Sequence, residues 1–126
     1  MNEIVDVGVA AHIGRYSDAV VVPAGAKTLY TSGTPGLMPD GTLPIDLESQ
    51  AEWAWRNIIA MLEKAEMNVH DLVKVTHYLT DESYIPPYVE VRSRFLGDAR
   101  PASMLMVVPA LVKPPILVEV EAWAAR

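Results

Sequence analysis

The run Ala102-Ser103-Met104-Leu105-Met106-Val107-Val108 limits the fold more than any other segment, because it alternates as a strand yet is apolar on both sides. Ser103, Leu105 and Val107 point one way, and Met104, Met106 and Val108 point the other. Neither face can be left in water cheaply, so a sheet containing this strand needs a covering layer on each side. Two helices can cover one face. The sequence offers no further layer for the other, and a second copy of the chain is the simplest cover.

The first helix is expected from Asp46, an N-cap residue type, to about Met67, with Ala51, Trp55, Ile58, Ile59, Leu62 and Ala65 at helical spacing. Trp53 falls off that stripe and is either exposed or used at a contact. The second helix begins near Tyr84, since Pro86 and Pro87 fit only in a first turn, where the N–H groups lack helical partners. Its expected inner stripe is Tyr88, Val91, Arg92 and Phe95.

Two β-prone runs, Ala19–Val22 and Thr28–Thr31, flank the turn-rich spacer Pro23–Lys27 and suggest a hairpin. Leu72–Leu79 reads as a strand with Val73, Val75, His77 and Leu79 on one side. The last strands are expected at Ala102–Val108 and Ile116–Ala124. The order is β-β-α-β-α-β-β, an α+β domain with a mixed sheet, and residues 1–126 are expected to form one domain.

A net charge of -6 opposes binding to phosphate backbones, so no nucleic-acid partner is expected. The absence of cysteine excludes disulfides, thiolate catalysis and cysteine-ligated metals. His12, His70 and His77 have no metal-site spacing, so no metal or cofactor is expected. Met1-Asn2-Glu3-Ile4 lacks the character of a signal peptide and no apolar run approaches the length of a membrane span, which makes a cytoplasmic protein without membrane contact the expectation.

Four segments share an order and spacing with a known family: Tyr30-Thr31-Ser32-Gly33-Thr34-Pro35, Asp71–Thr76, Arg100-Pro101-Ala102-Ser103, and Ile116–Ala122 with Glu119. By these the chain resembles the Rid family of reactive intermediate deaminases, also called YjgF, from about Ile13 to Arg126. The resemblance implies a chorismate mutase-like fold and a homotrimer whose sheets enclose a central barrel, with small-molecule clefts between subunits.

In active members an arginine in Pro-Ala-Arg-Ser binds the substrate carboxylate, and a glutamate on the last strand helps position or activate water. Glu119 matches the glutamate, and a buried acid bonding between subunits is its plainer role. Ser103 stands where the arginine would be and cannot form its bidentate pair with a carboxylate. Arg15, where the family commonly has proline beside the cleft tyrosine, is the replacement anchor favoured among the basic residues. Arg100 is expected to face solvent, with Arg92 and Arg94 structural or interfacial.

Tyr16 matches the cleft tyrosine and either packs on substrate or is a half-buried loop aromatic. Gly33 matches a glycine whose backbone contacts ligand, although a turn alone would explain it. Val89 stands near a position often held by asparagine. Glu121 shares a strand face with Glu119 and is read as part of a polar stripe, while no His-Asp pattern supports Ser103 as a nucleophile.

The implied activity is a hydrolase acting on a small reactive imine or enamine metabolite, with Glu119 orienting water and Tyr16, Arg15, Gly33, Ser103 and Val89 around the substrate. The alternative is a trimer that binds or senses a small metabolite without turnover. A surface protein using Trp53 and the acidic exterior is a third possibility.

Overall fold

The computed structural model describes residues 1–126. Its elements are β1 (Glu3–Val5), β2 (Ala19–Val21), β3 (Thr28–Tyr30), β4 (Thr34–Pro35), α1 (Leu47–Lys64), β5 (Leu72–Leu79), α2 (Ile85–Leu96), β6 (Ala102–Val107) and β7 (Val118–Ala125). From β3 onward the order is the expected β-β-α-β-α-β-β, although its leading pair is β3 and β4 rather than the Ala19–Val22 and Thr28–Thr31 runs. The main sheet runs β3-β7-β5-β6, with β4 also paired to β7. Only β5 and β6 are parallel, joined through α2.

The expected hairpin does not form. β2 instead pairs antiparallel with β1, setting Ile4 opposite Val20, and β3 pairs with β7, setting Leu29 opposite Ala124. For β3, β7 offers an eight-residue partner beside which Leu29 packs against the core. The Pro23–Lys27 turn therefore passes the chain between two sheets.

Helix α1 starts where the Asp46 carboxylate accepts the Ser49 N–H at 2.9 Å. Ala51, Ala54, Trp55, Ile58 and Leu62 are buried along one stripe, the alanines letting the helix approach the sheet closely. Each large side chain so buried contributes about 1.5–3 kcal/mol, and Trp55→Ala would cost about 3–5 kcal/mol. The helix stops before the expected Met67 because Glu66 turns left-handed at φ 60° and the Met67 N–H reaches back to Leu62 O at 2.8 Å.

On β5 a bulge between Leu72 and Lys74 puts Leu72, Val75 and Leu79 in the core and takes Val73 out of it, correcting the simple alternation expected there. Helix α2 carries Pro86 and Pro87 in its first turn and buries Tyr88 and Val91. Phe95 stacks on Trp55 with ring centroids 6.4 Å apart, and Gly97 ends the helix at φ 58°.

Buried Gln50 ties the β4–α1 connection to the start of β7. Its amide donates to Pro44 O at 2.8 Å and Pro115 O at 2.9 Å, and its carbonyl accepts the Leu117 N–H at 2.9 Å. Gly36 lies so close that a Cβ there would stand 2.0 Å from Gln50 O.

Both helices pack on the sheet face formed by Val75, Leu79, Val118, Val120, Ala122 and Ala124. Lys74, Thr76, Tyr78, Met104, Met106, Glu119, Glu121 and Trp123 form the other face, as their pairing across β6, β5 and β7 requires. No element of the chain covers it, and Met104 and Met106 stand exposed there.

Candidate functional site

β6 is the edge of the main sheet, and α2 passes over it to leave a cavity of about 580 Å³. The segment 13–16 closes its rim, held by the parallel bridge between Ser17 and Ala102 and by the buried Ser17 hydroxyl, which donates to Arg100 O. Arg100 does not simply face solvent: its Nη2 pairs with Asp6 at 2.9 Å and also donates to Tyr16 O at 3.3 Å. The guanidinium thus braces the rim segment.

Arg15, Tyr16, Val89 and Ser103, named from three separate stretches of sequence, all line this cavity. Arg92 and Ser93 join them on the α2 side, and Ile13, Ile85, Leu96 and Leu105 supply much of the apolar wall. No aspartate or glutamate lines it. The chain's ion pairs engage Arg56, His70, Arg94, Arg100 and Arg126, which leaves Arg15 and Arg92 unpaired. Arg92 rests over the Tyr88 ring, with Cζ 5.9 Å from its centroid.

Below the cavity floor lies a polar cluster that the sequence did not announce. Ser103 Oγ lies 3.1 Å from His77 Nε2, His77 Nδ1 bonds the Tyr88 hydroxyl, and the Trp55 indole N–H donates to that hydroxyl at 3.2 Å. His77, Tyr88 and Trp55 are buried. Burial, reinforced by the positive charge of Arg92, holds the His77 pKa down at about 3, so the imidazole is neutral at ordinary pH. Burial pushes the Tyr88 hydroxyl well above its usual range.

Glu119 and Gly33 sit together elsewhere. Glu119 lies on the uncovered sheet face opposite Tyr78, while Ser103, opposite Val75, is on the helix-covered face. Gly33 leaves room for the acid, since a Cβ there would stand 2.6 Å from Glu119 Oε1. Partial burial raises the Glu119 pKa above the ordinary carboxylate value. Glu121 accepts the Tyr78 hydroxyl at 3.1 Å, a structural bond in the same polar stripe.

Of the sequence-derived set, four residues therefore share one cavity and two lie outside its lining. The alternation of His77 with Val75 and Leu79 is the sequence signal that it faces the helices. The helical stripe puts Arg92 on the inner side of α2, but its approach to the cavity depends on how α2 crosses β6, which the stripe does not give. Nowhere do three His, Asp or Glu side chains converge as metal ligands, and no helix is long and apolar enough to cross a membrane.

The fold and edge cavity define a chorismate mutase-like α+β domain. A family model described as Endoribonuclease L-PSP matches residues 8–126. A RutC family protein of Pyrococcus abyssi is 33% identical over 116 residues, covering 90% of this chain and 88% of the relative. The solved structure of Escherichia coli TdcF with bound serine matches at 30% identity and TM-score 0.75, covering 90% of each chain. TdcF bears the provisional name reactive intermediate deaminase. YyfB of Yersinia pestis, a Rid family protein, shares the fold at 21% identity and TM-score 0.85, covering 99% of this chain and 98% of its own. The chain belongs to the Endoribonuclease L-PSP family, that of the Rid (YjgF) proteins.

Proposed function

We propose that this protein hydrolyses a small reactive imine or enamine bearing a carboxylate, with the edge cavity as substrate site. The observation that carries the reading is electrostatic. In a chain of net charge -6, one cavity holds two unpaired guanidiniums and a serine hydroxyl, with no acid among its lining residues. Such a lining favours an anion. Arg15 and Arg92 together take over the carboxylate-anchoring role that Ser103 cannot perform, and the apolar wall accommodates a hydrocarbon side chain. The name borne by TdcF agrees with this class of reaction.

Hydrolysis of an imine needs an oriented carbon, a water and a group to handle its proton. The Glu119 carboxylate takes a proton from water as the oxygen bonds to the imine carbon, and the C=N π electrons move to nitrogen. The proton is returned to nitrogen to give a carbinolamine, whose hydroxyl proton then passes through the same carboxylate to the amine as the C–N bond breaks, and a carbonyl compound and ammonia result. A raised pKa suits an acid that must both accept and return a proton.

Glu119 and Ser103 lie on opposite sheet faces, so this chemistry is assigned to a site assembled from two copies, the cavity of one meeting Glu119 of another. The uncovered face bearing Met104, Met106 and Glu119 supplies the apolar surface for that association, in a homotrimer. The same separation favours the second reading, a trimer that binds its metabolite without turnover. Ribonuclease activity, suggested by the family description, is disfavoured by the charge.

The test is ammonia release from imines generated in situ by an amino acid oxidase acting on a panel of amino acids. Acceleration by wild type that is lost in Glu119→Ala supports hydrolysis. Saturable binding of 2-oxo acids with no acceleration of any imine would instead establish the binding trimer.

A further inference from the structure

The buried cluster beneath Ser103 has a direction. The Tyr88 hydroxyl, fully buried, has two polar neighbours within hydrogen-bonding reach, the Trp55 indole and His77 Nδ1. An indole N–H only donates. The one hydroxyl proton of Tyr88 must go to an acceptor or stay buried and unpaired, and Nδ1 is the only acceptor available to it. Nδ1 is therefore unprotonated, and in a neutral imidazole the proton sits on Nε2. Nε2 donates to Ser103 Oγ, 3.1 Å away, filling one of the two acceptor positions of the serine oxygen and barring the serine proton from that direction. The serine proton is left to point elsewhere, and Ser103 lines the cavity.

We propose that Trp55, Tyr88 and His77 form a one-way donor chain which makes Ser103 a dedicated hydrogen-bond donor to the ligand, so that the cavity selects a proton-free oxygen of a carboxylate or carbonyl there. The proposal rests on the cavity being the substrate site. A ligand ammonium or amide N–H placed at Ser103 would leave the serine proton without an acceptor, while a carboxylate oxygen satisfies it. With its proton on Nε2, His77 cannot take a proton from Ser103, so the serine recognises ligand and does not attack it. His77 and Tyr88 are positioning residues that act through Ser103.

The site also differs in kind from an arginine anchor. A guanidinium would hold two carboxylate oxygens by charge, whereas Ser103 gives one directed bond beside the separate charges of Arg15 and Arg92.

The test combines the histidine tautomer with ligand binding. In 15N-labelled protein, couplings from the ring C–H protons report which nitrogen is protonated, and His12→Asn and His70→Asn identify the His77 signals by elimination. Wild type should show Nε2–H, and Tyr88→Phe, which removes the donor to Nδ1, should shift the proton toward Nδ1. The probe ligand is 2-oxobutanoate, measured by calorimetry. Its affinity should fall roughly tenfold or more in Ser103→Ala, and comparably in Tyr88→Phe although Ser103, Arg15 and Arg92 remain. Unchanged circular dichroism would establish that both variants fold.

Nδ1–H in wild type, or a Tyr88→Phe protein with wild-type tautomer and affinity, would overturn the donor chain. Nε2–H in a wild-type protein that binds no 2-oxobutanoate would overturn the recognition role through failure of the substrate-site reading, with the polarity of the chain left standing.

Discussion

Lowering the pH from 7 to 5 should remove about 2 kcal/mol of folding stability through His77 alone. The histidine is 1% exposed, and burial together with Arg92 depresses its pKa from 6.5 to about 3. Between those values the unfolded chain binds a proton at this position and the folded chain does not. Stability is therefore highest above pH 6.5 and falls as the pH drops toward 3, by about 1.4 kcal/mol per unit once below the unfolded value. Urea unfolding at fixed protein concentration, compared for wild type and His77→Gln at pH 7 and pH 5, isolates this contribution from other titrating groups. The variant should be less stable at pH 7, having lost the bonds to Tyr88 and Ser103, but its further loss at pH 5 should be smaller by about 2 kcal/mol. An NMR titration of folded wild type gives a second check: His77 should stay neutral through pH 5. Equal losses in both proteins, or a His77 that titrates near 6.5, would refute the reasoning.

Other consequences follow from close contacts and charge. Gly36→Ala places a Cβ against the Gln50 carbonyl, a backbone atom that cannot move aside cheaply; thermal melts should show a loss of about 3 kcal/mol or more. Gly33→Ala meets only the movable end of Glu119, so steady-state imine hydrolysis should fall about tenfold with little change in melting temperature. Glu119→Gln should reduce kcat by about a hundredfold or more. Because the acting form is the carboxylate and its pKa is raised, the wild-type rate should decline on the acid side from a pH above the ordinary glutamate range.

Helix positions and the order of elements were legible because periodicity and punctuation agreed: Asp46 caps α1, Pro86 and Pro87 open α2, and Gly97 closes it. The hairpin expectation failed because local turn chemistry cannot say that β7 is the better partner for Leu29. Likewise, alternation along β5 could not reveal the bulge that removes Val73 from the core. At the site, motif positions led to Arg15, Tyr16, Val89 and Ser103, which the folded chain gathers around one cavity. Arg92, expected on the inner stripe as a structural or interfacial residue, joins the cavity lining because α2 crosses over β6. The opposite facing of Ser103 and Glu119 depends on strand register, which motif spacing does not encode.

The most direct measurement is subunit complementation. Glu119→Ala lacks the proposed proton acceptor, and Arg15→Glu/Arg92→Glu reverses the charges in the cavity while keeping Glu119. Each should be inactive in imine hydrolysis alone. Unfolded together and refolded as a mixture, they should recover about a quarter of wild-type activity if random assembly brings an intact cavity from one copy to an intact Glu119 of another. If wild type refolds with full activity and the mixture, shown by light scattering to assemble, stays inactive, Glu119 and the cavity do not form a shared site.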